Sequence, residues 1–220
     1  MKYRSVFDII GPVMIGPSSS HTAGAARIGR AARSIFGREP KWAHIYFYGS
    51  FAETYRGHGT DVAIVGGLLD FDTFDERIKR SLEIAAERGL EIHFHKEACV
   101  PNHPNTARLH IGDEEGELEL VGVSIGGGKI EIDEINGFKI RLTGEHPSII
   151  VINNDRFGAI ANVAHVLAKN EINIGYMQVS RKEKGKTALM TIETDQNVDE
   201  TILDEIRKLP NILHVAKINE

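Results

Sequence analysis

The chain has one cysteine, Cys99, among 220 residues. No internal disulfide can form, and the three or four thiolates that an iron–sulfur cluster usually takes cannot come from this chain alone. Positive charge is not in excess either. The 26 Lys and Arg stand against 31 Asp and Glu, for a formal charge of −5 and a pI near 6.1. That balance leaves no broad basic footprint for nucleic acid or an anionic membrane. No apolar run is long enough for a membrane span, and the stretch from Met1 to Asp8 does not read as a signal peptide. The expectation is a cytoplasmic protein with a small-molecule ligand. Two catalytic patterns are also missing. No Gly-x-Ser-x-Gly elbow occurs, and where a phosphate-binding loop would put its second glycine and its lysine, Ser20 and His21 stand instead.

What is present suffices for one large domain or two modest ones: 41% of the residues are hydrophobic. After the loop Gly16-Pro17-Ser18-Ser19-Ser20-His21, an alanine-rich helix is expected from Ala23 to Phe36, stopped by Gly37. A strand over 43–48 follows, then a loop with Gly57-His58-Gly59, then a short apolar helix that Thr60 can cap. The spacing of Ile78, Leu82, Ile84, Ala85 and Ala86 predicts a helix over 75–88 closed by Gly89. Alternation then predicts strands at 91–95, 107–111, 117–125, 129–133 and 138–142 in an antiparallel sheet, so the region 1–144 reads as α+β.

Gly144-Glu145-His146-Pro147 reads as a junction. Beyond it come strand 148–152, helix 156–170, strands 173–181 and 187–193, helix 199–208 and strand 212–218. That βαββαβ order is the ferredoxin-like split unit. Its first strand runs into Asn154 and Asp155, which suit helix capping, and its first helix ends at Glu171-Ile172-Asn173-Ile174. At this point the segment 147–220 resembles an ACT domain. The resemblance implies pairing between copies and an amino-acid site built from Asn154, Asp155, Asn173 and Ile174; the alternative is that these polar groups only cap and brace loops.

The run Ser18-Ser19-Ser20-His21-Thr22 puts hydroxyls and an imidazole just ahead of a helix, where free N–H groups and the dipole favour an anion. A carboxylate of a small acid fits there, and so does a polar helix cap with no ligand. His58 is the candidate general base, because imidazole titrates near ~6.5 and glycine on both sides lets the backbone approach a ligand. The rival reading is a histidine that hydrogen-bonds the Thr60-Asp61 turn. Cys99 reads as a small apolar filler.

Taken in order, Ser5-Val6-Phe7-Asp8, Gly16 to Thr22, Tyr48-Gly49-Ser50, Gly57 to Asp61, His103-Pro104-Asn105 and Ser124-Ile125-Gly126-Gly127-Gly128 resemble the β domain of bacterial iron–sulfur L-serine dehydratases. With the ACT segment, the resemblance extends over nearly the whole chain and is to the β chain of the two-subunit form. It implies a [4Fe-4S] cluster held by a cysteine-bearing α subunit, L-serine as substrate, and no PLP. It points to His58 as base, with Ser18, Ser19, Ser20, His21, Thr22, Asn105, Gly126 and Gly127 around the substrate. A similar first domain also resembles the allosteric domain of some phosphoglycerate dehydrogenases, and on that reading the loop senses a ligand without catalysis.

Overall fold

Trp42 to Phe47 alternates buried Ala43, Ile45 and Phe47 with half-buried Trp42, His44 and Tyr46, the pattern of a strand with one face on a core. In the computed structural model, which describes residues 13–218, this is β1 (Trp42–Phe47). The Ser5-Val6-Phe7-Asp8 motif lies outside the described residues. The chain divides into two compact units, residues 1–136 and 137–220.

In the first unit, β1 pairs with β2 (Glu91–Lys96) and β3 (Thr106–Gly112), and the sheet continues through β4 (Glu117–Gly126) and β5 (Lys129–Ile135). Within this unit the strand order is β2-β1-β3-β4-β5, and β6 (Phe138–Leu142) belongs to the second unit. One expectation fails here: β2 does not join an antiparallel meander but pairs parallel to β1, Trp42 opposite Glu91 and Phe47 opposite Lys96. The physical reason is the connection. The helical segment between the two strands crosses over one face of the sheet and returns the chain in the same direction.

That segment holds α2 (Gly49–Thr54), α3 (Thr60–Leu68), a 3-10 turn over Glu76–Arg80 and α4 (Ser81–Glu87). The short α2 was not expected; its glycine start and six-residue length carry no helical periodicity. The helix expected at 75–88 is broken in two. Asp75 caps the 3-10 turn by accepting from the Arg77 amide, while the buried Ser81 hydroxyl donates to the Val62 carbonyl at 2.6 Å. Thr60 does not cap α3. Gly59 occupies that position with φ of 70°, and Thr60 is the first helical residue.

Helix α1 (Gly24–Phe36) ends as expected at Gly37, which takes a left-handed φ of 82°. It crosses α3 with almost no gap: a Cβ on Gly29 would lie 2.2 Å from the Ile64 carbonyl oxygen, and one on Gly67 would lie 2.1 Å from that of Ala26. It also lies tightly on β4, where a Cβ on Gly122 would meet Ile28 at 2.7 Å. Each core aliphatic between helix and sheet, such as Ile28, Ile45, Ile64, Leu109 and Leu120, contributes about 1.5–3 kcal/mol by leaving water. The result is a fixed seat for the N-terminus of α1.

The second unit contains β7 (Ser148–Asn154), α5 (Ala159–Lys169), β8 (Ile174–Arg181), β9 (Thr187–Thr194), α6 (Glu200–Arg207) and β10 (Ile212–Ile218). The sheet order β10-β7-β9-β8, all antiparallel, is the ferredoxin-like arrangement expected of an ACT domain. Ile149, Val151, Val163, Leu167, Met190, Ile192, Leu203 and Ile206 form its own core. The expected cap of α5 is replaced. Gly158, with φ of 83°, stands at the N-cap with no side-chain bond, because the Asp155 carboxylate is engaged by the Gly185 amide at 2.8 Å and by Arg181 at 3.1 Å. α6 does have a side-chain cap, Asp199 accepting from the Ile202 amide.

Candidate functional site

Five loops of the first unit meet where β1 ends. A Cβ on Gly49, at the start of α2, would lie 2.7 Å from the Pro104 carbonyl oxygen, and the Tyr48 amide donates to Thr106 O at 3.1 Å. The 103–105 loop is joined in turn to β4, since the Ser124 amide donates to Asn105 O at 2.9 Å. Ser124 lies against the first residue of α1, where a Cβ on Gly24 would come 2.1 Å from its hydroxyl oxygen.

Ahead of α1, the serine-rich loop winds into a π-helical turn over Ser19–Ala23, a wide geometry that recurs at functional sites. Ser18 caps it by accepting from the His21 amide at 3.2 Å. Thr22 is buried, and its hydroxyl donates to Ser18 O. Among the described residues, the Ser19 and Ser20 hydroxyls, both half-buried, make no hydrogen bond.

His21 is tethered at both ring nitrogens: Nδ1 lies 3.3 Å from Ser18 Oγ and Nε2 lies 3.0 Å from Ser50 Oγ. Its ring stands edge-on to Phe51, at 5.3 Å between centroids, and to His58, at 4.8 Å and 82°. His58 is exposed, its amide donates to Thr54 O at 2.9 Å, and its ring nitrogens make no hydrogen bond among the described residues. The Thr60-Asp61 turn is held without that imidazole. Both of its amides donate to Tyr55 O, and the Asp61 carboxylate accepts from the Val62 amide.

Burial, and then the neighbouring His58, holds the His21 imidazole below the usual histidine range. Two imidazoles in contact cannot both charge without mutual repulsion, and the more desolvated one stays neutral. Burial pushes the Asp61 carboxyl up.

The expected residues are therefore brought together unevenly. Ser18, Ser19, Ser20, His21, Thr22 and His58 share one cluster. Asn105 reaches it through backbone bonds to Ser124 and His103. Gly126 and Gly127 lie on a turn of left-handed glycines, φ 101°, 62° and 79° for Gly126 to Gly128, which Arg27 ties to α1 by donating to Gly128 O at 2.9 Å. Ser50 and Phe51 had no role in the sequence reading; the one signal was the quoted Tyr48-Gly49-Ser50, whose meaning needed α2 to be seen.

In the second unit, Asn154 and Asp155 sit at one end of the sheet, by Thr187 and Gly185, whereas Asn173 and Ile174 sit at the other, by Asp195 and Thr194. A strand length of roughly 20 Å separates the two pairs. Asn173 is already engaged, donating to the Asp195 carboxylate at 2.6 Å.

An iron–sulfur cluster does not fit this chain. Its one thiol, Cys99, is exposed, and among the described residues no group of three or more His, Cys, Asp or Glu is arranged to hold a metal. No helix among the described residues is long and apolar enough to cross a membrane.

Comparison with known proteins agrees with this layout. The family model described as "Serine dehydratase beta chain" matches residues 5–81, and that of the ACT domain matches residues 148–211. The chain is 70% identical to the probable L-serine dehydratase, beta chain, of Bacillus subtilis, over 99% of each protein. It is 38% identical to the L-serine dehydratase, beta chain, of Peptoniphilus asaccharolyticus, over 92% of each. A D-3-phosphoglycerate dehydrogenase of Bacillus subtilis is 29% identical over 62% of this chain and 26% of that one. Mixed helices and strands, an ACT domain at the C-terminal end and end-to-end likeness to beta chains define the class. The chain belongs to the L-serine dehydratase beta chain family.

Proposed function

We propose that this chain is the β subunit of a two-chain L-serine dehydratase, which converts L-serine to pyruvate and ammonia together with a cysteine-bearing α subunit. One juxtaposition carries the reading: an exposed imidazole, His58, whose nitrogens are unbonded among the described residues, lies edge-on to a half-buried and doubly tethered one, His21. The full-length likeness to beta chains supports it, whereas the dehydrogenase that would favour a ligand-sensing module matches a smaller part of the chain.

The α-proton of serine is weakly acidic, so elimination needs a base, and His58 accepts that proton while His21 stays neutral beside it. Ser19 and Ser20, ahead of α1, offer hydroxyls to the substrate carboxylate, aided by the helix dipole. Ser18, His21 and Thr22 shape this loop through their mutual bonds, and Asn105, Gly126 and Gly127 are assigned to substrate binding on the family resemblance. Loss of the α-proton and the β-hydroxyl gives aminoacrylate, which becomes an imine and hydrolyses to pyruvate and ammonia. On this reading a [4Fe-4S] cluster belongs to the α subunit, where it would supply Lewis-acid chemistry to the substrate.

The catalytic part runs over 1–144 and the ACT domain over 147–220. An amino-acid site using Asn154, Asp155, Asn173 and Ile174 together would have to be shared by two paired chains, given their separation. The deciding experiment is reconstitution. The purified chain alone should leave serine unchanged, and adding the cluster-bearing α subunit without oxygen should restore pyruvate formation. Pyruvate from the chain by itself would refute the proposal.

A further inference from the structure

We infer that Ser50 is a positioning residue, one that fixes the tautomer and orientation of His21 and through it the seat of His58. The inference deepens the reading of the site proposed above and rests on it. It starts from one chain of hydrogen bonds through Ser18, His21 and Ser50.

The His21 amide donates to Ser18 Oγ at 3.2 Å. A hydroxyl that accepts one bond becomes a better donor for the next, because polarisation along such chains is cooperative. That polarisation favours Ser18 as the donor to His21 Nδ1, 3.3 Å away. An imidazole bare at Nδ1 and neutral carries its proton on Nε2, and Nε2 lies 3.0 Å from Ser50 Oγ. Ser50 is the acceptor that this tautomer requires. The burial that keeps His21 neutral agrees with an imidazole holding one proton, not two.

The seat of Ser50 is itself rigid. α2 starts against Pro104, with Gly49 allowing an approach that any side chain would block. The Ser50 carbonyl accepts from the Thr54 hydroxyl at 2.7 Å, and the next residue, Phe51, is fully buried with its ring edge against His21. A base that must meet a substrate proton gains from a neighbour that cannot rotate. His21, held from Ser18 on one side and Ser50 on the other, is that neighbour for His58.

The test has two readouts. Long-range ¹H–¹⁵N spectra of the full chain at neutral pH should show His21 protonated at Nε2 and bare at Nδ1. Ser50→Ala should move it toward the Nδ1-protonated form, and Ser50→Thr, which keeps the hydroxyl, should restore it. A wild-type His21 protonated at Nδ1, or a tautomer indifferent to Ser50→Ala, overturns the inference and needs no variant to be active. In enzyme assembled with its α subunit, Ser50→Ala should lower kcat by about 10- to 100-fold, the cost of losing an orienting partner behind a working group, with KM within about twofold. Ser50→Thr should recover most of it. If His58→Ala silences the enzyme and Ser50→Ala does not, the positioning role is refuted while the site stands. If both variants keep full activity although the tautomer responds to Ser50, the site reading is what fails.

Discussion

His21 and His58 meet edge-on, 4.8 Å between ring centroids and 82° between planes, and they differ in what holds them: both nitrogens of His21 face serine hydroxyls, and neither nitrogen of His58 is bonded among the described residues. The contact divides the labour of two like groups. His58→Ala in the assembled enzyme should lower turnover by about 10²–10⁴-fold, the usual worth of a general base, and leave assembly with the α subunit unchanged by gel filtration. Full turnover would remove His58 from the mechanism.

The same pair predicts an acid sensitivity. His21 has its folded-state pKa below the unfolded 6.5, so between those two values the unfolded chain binds more protons and stability rises with pH. Folding stability should be fully present above pH 6.5, fall as pH drops below it, and level off beneath the folded pKa. Urea melts from pH 7.5 to 5 should show this slope, and His21→Gln, which cannot charge, should flatten it.

A second cluster adds to that slope from the outer face of the sheet. His44 lies beside Trp42 and Tyr46 on β1, Glu91, His93 and His95 on β2, and His110 on β3. Its ring stacks on His93 at 4.7 Å, and its Nδ1 is 3.1 Å from His95 Nε2. Burial first, then the three imidazoles, keep His44 below its ordinary value, with Glu91 opposing. His44→Phe should therefore protect the fold at pH 5 more than at pH 7.5. An equal effect at both pH values would assign the residue to packing alone.

Gly24 tests how tightly α1 is seated. Alanine gains about 1 kcal/mol over glycine inside a helix, whereas forcing a methyl to 2.1 Å from Ser124 Oγ and 2.7 Å from its Cβ costs about 1–3 kcal/mol. The Cβ of Ser124 is fixed to the strand and cannot give way, so Gly24→Ala should destabilise, and Ser124→Gly should recover much of the loss in a double-mutant cycle. The buried Ser124 hydroxyl has no partner among the described residues, so Ser124→Ala alone should leave the melting temperature unchanged or higher.

The ACT unit should stand alone. Its twelve-residue core cluster is drawn wholly from residues 149–215, so a fragment of residues 145–220 should unfold cooperatively by circular dichroism and show dispersed amide spectra. A fragment that is unfolded would place the functional boundary elsewhere than 144–147.

Much of this was legible in one dimension. Gly37 marks a helix end because only a residue without Cβ takes φ of 82° at no steric cost. The alternation along 107–111 places one face of that strand inside. A single cysteine excludes an iron–sulfur cluster held by the thiolates of this chain alone. What local pattern cannot carry is the partner of a group whose neighbours lie far along the chain. The parallel pairing of β1 with β2 depends on the path of the helices between them. The unexpected α2 is six residues long and forms against Pro104, where packing and not propensity decides.

The sequence by itself determined the fold class and the supply of hydroxyls and imidazoles, because periodicity, capping and composition act over a few neighbouring residues. Only the tertiary structure decided that Ser50, 29 residues from His21, closes on its Nε2, and that His21 is the tethered imidazole and His58, among the described residues, the unbonded one. Those assignments depend on burial and hydrogen-bond geometry, which exist only once α1, α2 and the sheet have packed.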